Sequence, residues 1–371
     1  MKLAFKCLPL CVIVIALLFT SRRLVAADAK PAKSKVDPSD AFFKDGHIPT
    51  VKIELSKEQA DKLRGNPRVY VECTLHIDGK TAVQGVRVKL KGAAGSFRHL
   101  DDRPAFTLNM PPKQAFFGLD KFHLNNSVQD DTYVSEWISA TIIRSAGYPA
   151  ARASHARVFL NDRDLGFYGL KEGLDEDFLK RNFTNGKGNL YDGGFCQDID
   201  ANLELDEGTP NERSDLKALI AACREGDPAK RWTEIEKHLD VEMFLKYVAL
   251  ELMMSHWDGY AHNRNNYRVY FRGDDKKAVF IPHGMDQMFG DPNFSLYHIP
   301  GPIVANAVLN NPQWRERYRQ IVRELLPRFD PKVLHPQIDE LHKRMRVVVA
   351  AMGEDRARHL DHRVADIKGR I

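Results

Sequence analysis

An acid at position 258 and an amide five residues later stand in the run His256-Trp257-Asp258-Gly259-Tyr260-Ala261-His262-Asn263. Arg264-Asn265-Asn266 follows, then the alternating Tyr267-Arg268-Val269-Tyr270-Phe271, a polar turn at Gly273-Asp274-Asp275-Lys276, and the apolar Ala278-Val279-Phe280-Ile281. The second apolar run ends in His283-Gly284-Met285-Asp286-Gln287-Met288-Phe289-Gly290, so a second acid follows the hairpin. Acid, amide, hairpin, acid is an order suited to phosphoryl transfer. The first carboxylate, Asp258, would accept the proton of an attacking hydroxyl, while Asn263 and Asp286 would hold metal ions that neutralise the phosphates. Taken singly, Asp258-Gly259 could be a helix-ending turn and Asp286 a turn after a strand. The register of the whole set is what points to chemistry.

The phosphate-binding side is less explicit. Neither a Gly-x-Gly-x-x-Gly run nor a full Gly-x-x-x-x-Gly-Lys-Ser/Thr phosphate loop is present. Lys89-Leu90-Lys91-Gly92-Ala93-Ala94-Gly95-Ser96 could form a glycine-bearing turn whose amides and lysines approach phosphate, or a strand end with solvated lysines. Lys121 on an expected strand and Glu136 on an expected helix could form a lysine–glutamate ion pair, and Glu172, between a strand and a helix, could meet a base. His256, His262 and His283 read as neutral structural or surface imidazoles. Asp198-Ile199-Asp200 lacks the Gly and later Glu of a calcium loop and reads as solvated.

Other elements must position these groups. A strand over 48–56 is followed by a helix over 57–63 with Ser56 as N-cap, and two alternating runs, 69–77 and 83–90, form a hairpin. Strands at 106–110 and 121–124 precede a helix over 131–146, stopped by Gly147. A second hairpin spans 156–160 and 166–170. Beyond Leu190 the chain becomes polar and helical, with candidates at 216–223 and 232–238, and an apolar helix over 241–255 leads into Asp258. Residues 314–371 read as two or three amphipathic helices after a loop rich in Pro and Asn. A β-rich first half followed by a helical second half is α+β organisation.

The 371 residues carry 55 Lys and Arg against 50 Asp and Glu, spread along the chain, so no nucleic-acid footprint is visible. The N-terminus has a basic start, an apolar run over 8–19 and Val25-Ala26-Ala27, the pattern of an export signal over 1–27. The apolar run is short for a membrane span, so no stable insertion is expected after cleavage. A flexible linker is expected over 28–45. Cys73, Cys196 and Cys223 remain in the mature chain, too few for a disulfide framework, and buried free thiols are expected.

Five segments together resemble the spore-coat protein H (CotH) kinase family of secreted, atypical kinase-like proteins. They are Lys89-Leu90-Lys91-Gly92 with Gly95-Ser96, Phe122-His123-Leu124-Asn125-Asn126, Gly166-Phe167-Tyr168-Gly169-Leu170-Lys171-Glu172, the stretch from Trp257-Asp258 to Asn265-Asn266-Tyr267, and Asp286-Gln287-Met288-Phe289-Gly290. The resemblance implies an atypical protein-kinase-like fold over 46–325, with a helical extension over 326–371. It implies phosphate transfer from ATP, with Mg or Mn, to Ser or Thr hydroxyls of a protein. Carried over, Asp258 is the catalytic acid, Asp286 a metal ligand, Asn263 and Asn266 supporting ligands, and Lys89, Lys91, Lys121, Glu136 and Glu172 the nucleotide-binding set. One departure stands out: where the family often has two acids in a Trp-Asp-x-Asp pattern, this chain has Gly284 in place of the first. A catalytically inactive surface or adhesion module, or another nucleotide-dependent modification such as adenylyl transfer, therefore stays open beside the kinase reading.

Overall fold

The computed structural model describes residues 37–371, so the expected leader and the first part of the expected linker lie outside the described residues. The end of the expected flexible linker is an ordered helix. In α1 (Asp40–Asp45), Phe42 is buried, stacked on Phe117 with ring centroids 4.7 Å apart. An aromatic with a place in the core outweighs the polar composition around it.

The first half then runs β1 (Thr50–Glu54), α2 (Lys57–Gly65), β2 (Val71–Ile77), β3 (Thr81–Lys91), β4 (Ala105–Asn109), β5 (Lys121–Asn125), α3 (Ser135–Ser145), β6 (Ala153–Leu160) and β7 (Arg163–Glu172). Ser56 caps α2 as expected, and Gln59 closes a capping box with it. The seven strands close into a barrel in the order β1-β2-β3-β4-β5-β7-β6. Its neighbours are antiparallel except for the parallel closure of β1 on β6. Strand side chains alternate between faces, so Val88 and Leu90, Phe106 and Leu108, Phe122 and Leu124, and Tyr168 and Leu170 fill the barrel. The same alternation turns Lys89, Lys91, Lys121, His123 and Lys171 out of it.

The second half comprises α4 (Glu176–Asn182), β8 (Asn189–Asp192), β9 (Glu204–Glu207), α5 (Ser214–Cys223), α6 (Pro228–His238), α7 (Val241–Met253), α8 (Tyr260–Asn263), β10 (Tyr267–Phe271), β11 (Ala278–Pro282), α9 (Ile303–Leu309), α10 (Pro312–Leu325), α11 (Pro331–Ala350) and α12 (Glu354–Arg370). The expected β10–β11 hairpin joins β8 and β9 in a sheet ordered β11-β10-β8-β9. Sequence reading missed β8, β9 and α9. The β9 sequence Glu204-Leu205-Asp206-Glu207 has little strand propensity. It pairs here because Arg268 on β10 meets both Asp192 and Asp206, at 2.6 and 2.9 Å.

α7 is apolar on nearly every side because it lies in the centre of this half. The apolar faces of α3, α11 and α12 share its core, so the helices after residue 326 are part of that packing and not an appendage. The β-rich first half and helical second half are those expected. Cys73 and Cys223 are buried free thiols, while Cys196 is exposed. Among the described residues no helix is long and apolar enough to cross a membrane.

Candidate active site

A cleft of about 590 Å³ lies between the outer face of the barrel and the β8–β11 sheet with its loops. This is within the size range of small-molecule sites. One wall carries cations on strands, and the other carries acids on loops.

On the barrel wall the expected lysine–glutamate pair exists with a different lysine. Glu136 Oε1, in the first turn of α3, is paired with Lys171 Nζ on β7. Glu136 Oε2 accepts from Asn125 Nδ2 at 3.1 Å, and Asn125 Oδ1 accepts from Lys91 Nζ at 2.6 Å. One carboxylate thus steadies two lysines, the second through a neutral amide. Burial alone would raise the Glu136 pKa, but Lys171 and then Lys91 hold it below its ordinary range. Burial, and then the neighbouring Lys171 charge, push Lys91 down to about 8.

Lys121 lines the cleft but is not the partner of Glu136. It lies four residues from Asn125 on β5, roughly 13 Å along a strand, whereas Lys171 sits opposite His123 on the adjoining β7. Lys89 is at the rim, its ammonium 4.8 Å above the ring of Tyr70.

Glu172, expected to bind cofactor, does not reach the cleft. It shares the parity of Tyr168 and Leu170 and is buried against Arg152, with 2.8 Å between Oε1 and the guanidinium, and against Arg181. It anchors the chain where the barrel ends. Alternation along 167–172 was the signal that would have favoured Lys171 over Glu172.

On the loop wall Asp258 is held by amides. Its Oδ2 accepts from Asn265 Nδ2 at 3.0 Å and Asn266 Nδ2 at 2.9 Å, while Oδ1 accepts from Asn263 Nδ2 at 3.4 Å. Asn265 and Asn266 line the cleft and Asn263 supports from behind. All three turn amide N–H groups to Asp258, so in this arrangement they orient that carboxylate.

Beneath the loop, Glu251 of α7 accepts the N–H groups of Tyr260 and Ala261, at 3.1 and 3.0 Å, and the Tyr247 hydroxyl. Burial raises its pKa to about 7. His256 is buried with neither ring nitrogen hydrogen-bonded, and burial lowers it to about 4, in keeping with a neutral structural imidazole. His123 and His283 both line the cleft, and burial followed by nearby cations takes both well below the ordinary imidazole range.

Asp286 is fixed through its flanks. The hydroxyl of Ser135, at the start of α3, donates to Met285 O at 3.2 Å and accepts from Met288 N at 3.0 Å. α3 therefore carries Glu136 to the lysines and Ser135 to the Asp286 turn. Neither Ser135 nor Glu251 has a sequence signal, because each acts through contacts distant along the chain.

Burial, then the nearby Glu136, raises Asp286 to about 6, and among the described residues it receives no side-chain hydrogen bond. A half-buried carboxylate with no side-chain donor suits a cation. Among the described residues no three His, Cys, Asp or Glu side chains converge closely enough to hold one by themselves. The donor set therefore fits a hard divalent ion completed by phosphate oxygens and water better than an all-protein cage.

The CotH kinase protein family matches residues 88–365. The chain belongs to that family. This bears out the resemblance and the kinase-like α+β class. Among relatives, Invasin CotH7 of Rhizopus delemar is 24% identical over 254 residues, covering 61% of this chain and 42% of that protein. Inner spore coat protein H of Bacillus subtilis is 24% identical over 281 residues, covering 68% and 75%. The chain spans about half the length of the Rhizopus relatives it matches. Among solved structures, a Golgi casein kinase aligns with a TM-score of 0.35 at 11% identity, covering 91% of this chain and 75% of that one. The Helicobacter pylori proinflammatory kinase CtkA aligns with a TM-score of 0.34 at 11% identity, covering 71% and 90%.

Proposed function

We propose that this CotH-family chain transfers the terminal phosphate of ATP to Ser or Thr hydroxyls of a protein, with Mg or Mn. The carrying observation is the placement of Asp258 and Asp286 on the wall opposite Lys91 and Lys171 of one cleft. Phosphoryl transfer asks for positioning and charge neutralisation more than for covalent chemistry, and this division of charge supplies both. Lys91 and Lys171 bind and orient the phosphates, with Glu136 holding Lys171 directly and Lys91 through Asn125. Asp258, oriented by its amides, takes the proton of the incoming hydroxyl. Asp286 would hold the metal, whose chemistry is to neutralise charge building on the phosphate oxygens. An invasin and spore-coat proteins among the relatives, together with the leader-like residues 1–27, support an exported protein.

The test is self-labelling of the chain from residue 28 with terminally labelled ATP and Mg or Mn, beside Asp258→Ala and Asp286→Ala. The expected result is label in the parent and a loss of roughly 10²–10⁴-fold in folded Asp258→Ala. A mass gain of a nucleoside monophosphate would replace this reading with adenylyl transfer. Absence of both transfer and metal-dependent nucleotide binding would leave the non-catalytic surface module.

A further inference from the structure

Gly284 and Asn266 meet at the open end of the β10–β11 hairpin. Asn266 immediately precedes β10, His283 follows β11, and His283 N donates to Asn266 O at 2.9 Å, which extends the ladder by one step. Residue 284 is the next along. Its backbone is left-handed, with φ of +56°, and so is that of Asn266, at +51°. A side chain at 284 would find its space taken: a Cβ there would lie 2.5 Å from Asn266 Cγ and closer still to its Oδ1. That amide is not idle. Its nitrogen donates to both the backbone oxygen of Asp258, at 3.0 Å, and the carboxylate Oδ2, at 2.9 Å. No other side chain holds Asp258 by main chain and carboxylate together among the described hydrogen bonds.

We propose that Gly284 is a positioning residue for Asp258: the side chain it lacks is the space in which the Asn266 amide reaches the catalytic loop. The register of the hairpin makes the two positions compete, so an amide clamp at 266 and any side chain at 284 exclude each other in this geometry. Gly284 is thereby part of a working arrangement and not a mark of a lost one. A substituent at 284 moves the Asn266 side chain, which can swing away only by giving up both bonds to Asp258. Asn265 and Asn263 remain, so the carboxylate loosens instead of leaving, and misplacement of a catalytic group on this scale costs about 10-fold or more in rate. This inference rests on the phosphoryl-transfer reading for its catalytic consequence but not for the contact itself.

A double-variant cycle tests it, with Gly284→Ala, Asn266→Ala and the pair followed by urea unfolding and by the initial rate of self-labelling from labelled ATP. Asn266→Ala is expected to lower both midpoint and rate in the parent background and to lower them by clearly less in the Gly284→Ala background, where only the left-handed strain of an alanine at 266, common to both backgrounds, remains. The left-handed backbone strain that Gly284→Ala introduces is the same with and without Asn266, so it cancels in the cycle. Effects that add on stability and multiply on rate overturn the proposal. If Gly284→Ala fails to fold, recovery of folding in the pair supports it and no recovery overturns it. An inactive parent that still shows the stability coupling sinks the phosphoryl-transfer reading and leaves the contact standing. An active parent without coupling sinks this inference alone.

Discussion

The barrel wall of the cleft takes its order from the pleat: Lys89 and Lys91 of β3, Lys121, His123 and Asn125 of β5 and Lys171 of β7 face the site, and the residues between them fill the barrel. The opposite wall has no such period. Asp258 and Asp286 sit in loops whose backbone turns left-handed at Arg264, Asn266, Gly284 and Phe289, and side-chain amides and a buried carboxylate fix them. Charge on a strand is positioned by the sheet's own backbone bonds. Charge on a loop must be positioned by dedicated partners, each needing a further residue. The barrel wall should thus respond to mutation through charge, and the loop wall through geometry.

The largest effect expected is on the barrel wall. Lys171→Met leaves Glu136 buried without its ionic partner and should cost roughly 3–5 kcal/mol in urea unfolding. Adding Glu136→Gln should return part of that loss. If the single variant unfolds like the parent, the ion pair is not what fixes α3 to β7.

Next comes the brace under the loop wall. Glu251→Ala strips two buried N–H groups and the Tyr247 hydroxyl of their acceptor, which should cost about 3 kcal/mol and slow transfer without altering any cleft charge. The pH dependence has a definite sign. Folded Glu251 keeps its proton up to about 7 because it is buried, against an ordinary 4.5 when unfolded. The native state therefore binds more protons between those values, and its contribution, full below 4.5, is lost as pH rises through 7. Stability measured from about pH 5 to 8 should show this decline in the parent and lose it in Glu251→Ala.

A smaller effect separates charge from geometry on the barrel wall. With Lys91 lowered to about 8, its positive charge is lost as pH rises through that value, so nucleotide affinity should fall above pH 8 by up to about tenfold. Lys91→Arg, still charged there, should remove that fall in a binding titration. The smallest effect is expected at Lys121, which lines the cleft without a partner in the network. Lys121→Ala should change stability by less than about 0.5 kcal/mol and affinity about twofold.

Much of this was legible beforehand, for reasons that differ by element. The hairpins, the N-cap at Ser56 and the apolar α7 announce themselves through period and capping chemistry, which act within a few residues. Asp258, Asp286, Lys91 and Glu136 were found because their types and spacing carry chemistry, and the cleft brings them together. Glu172 and Lys121 went astray because a residue's neighbours in sequence do not reveal its partner across a barrel. β9 was missed because its pairing depends on an arginine about sixty residues away.

Local pattern and residue type were enough to establish the family, the β-then-helix order and the acids and lysines available for phosphate chemistry. It took the folded chain to show that Lys171 and not Lys121 meets Glu136, that Ser135 and Glu251 brace the two acidic loops, and that Gly284 gives its space to Asn266. Those choices depend on which side chains meet after the chain closes on itself, and strand pairing and burial set that at distances no local pattern encodes.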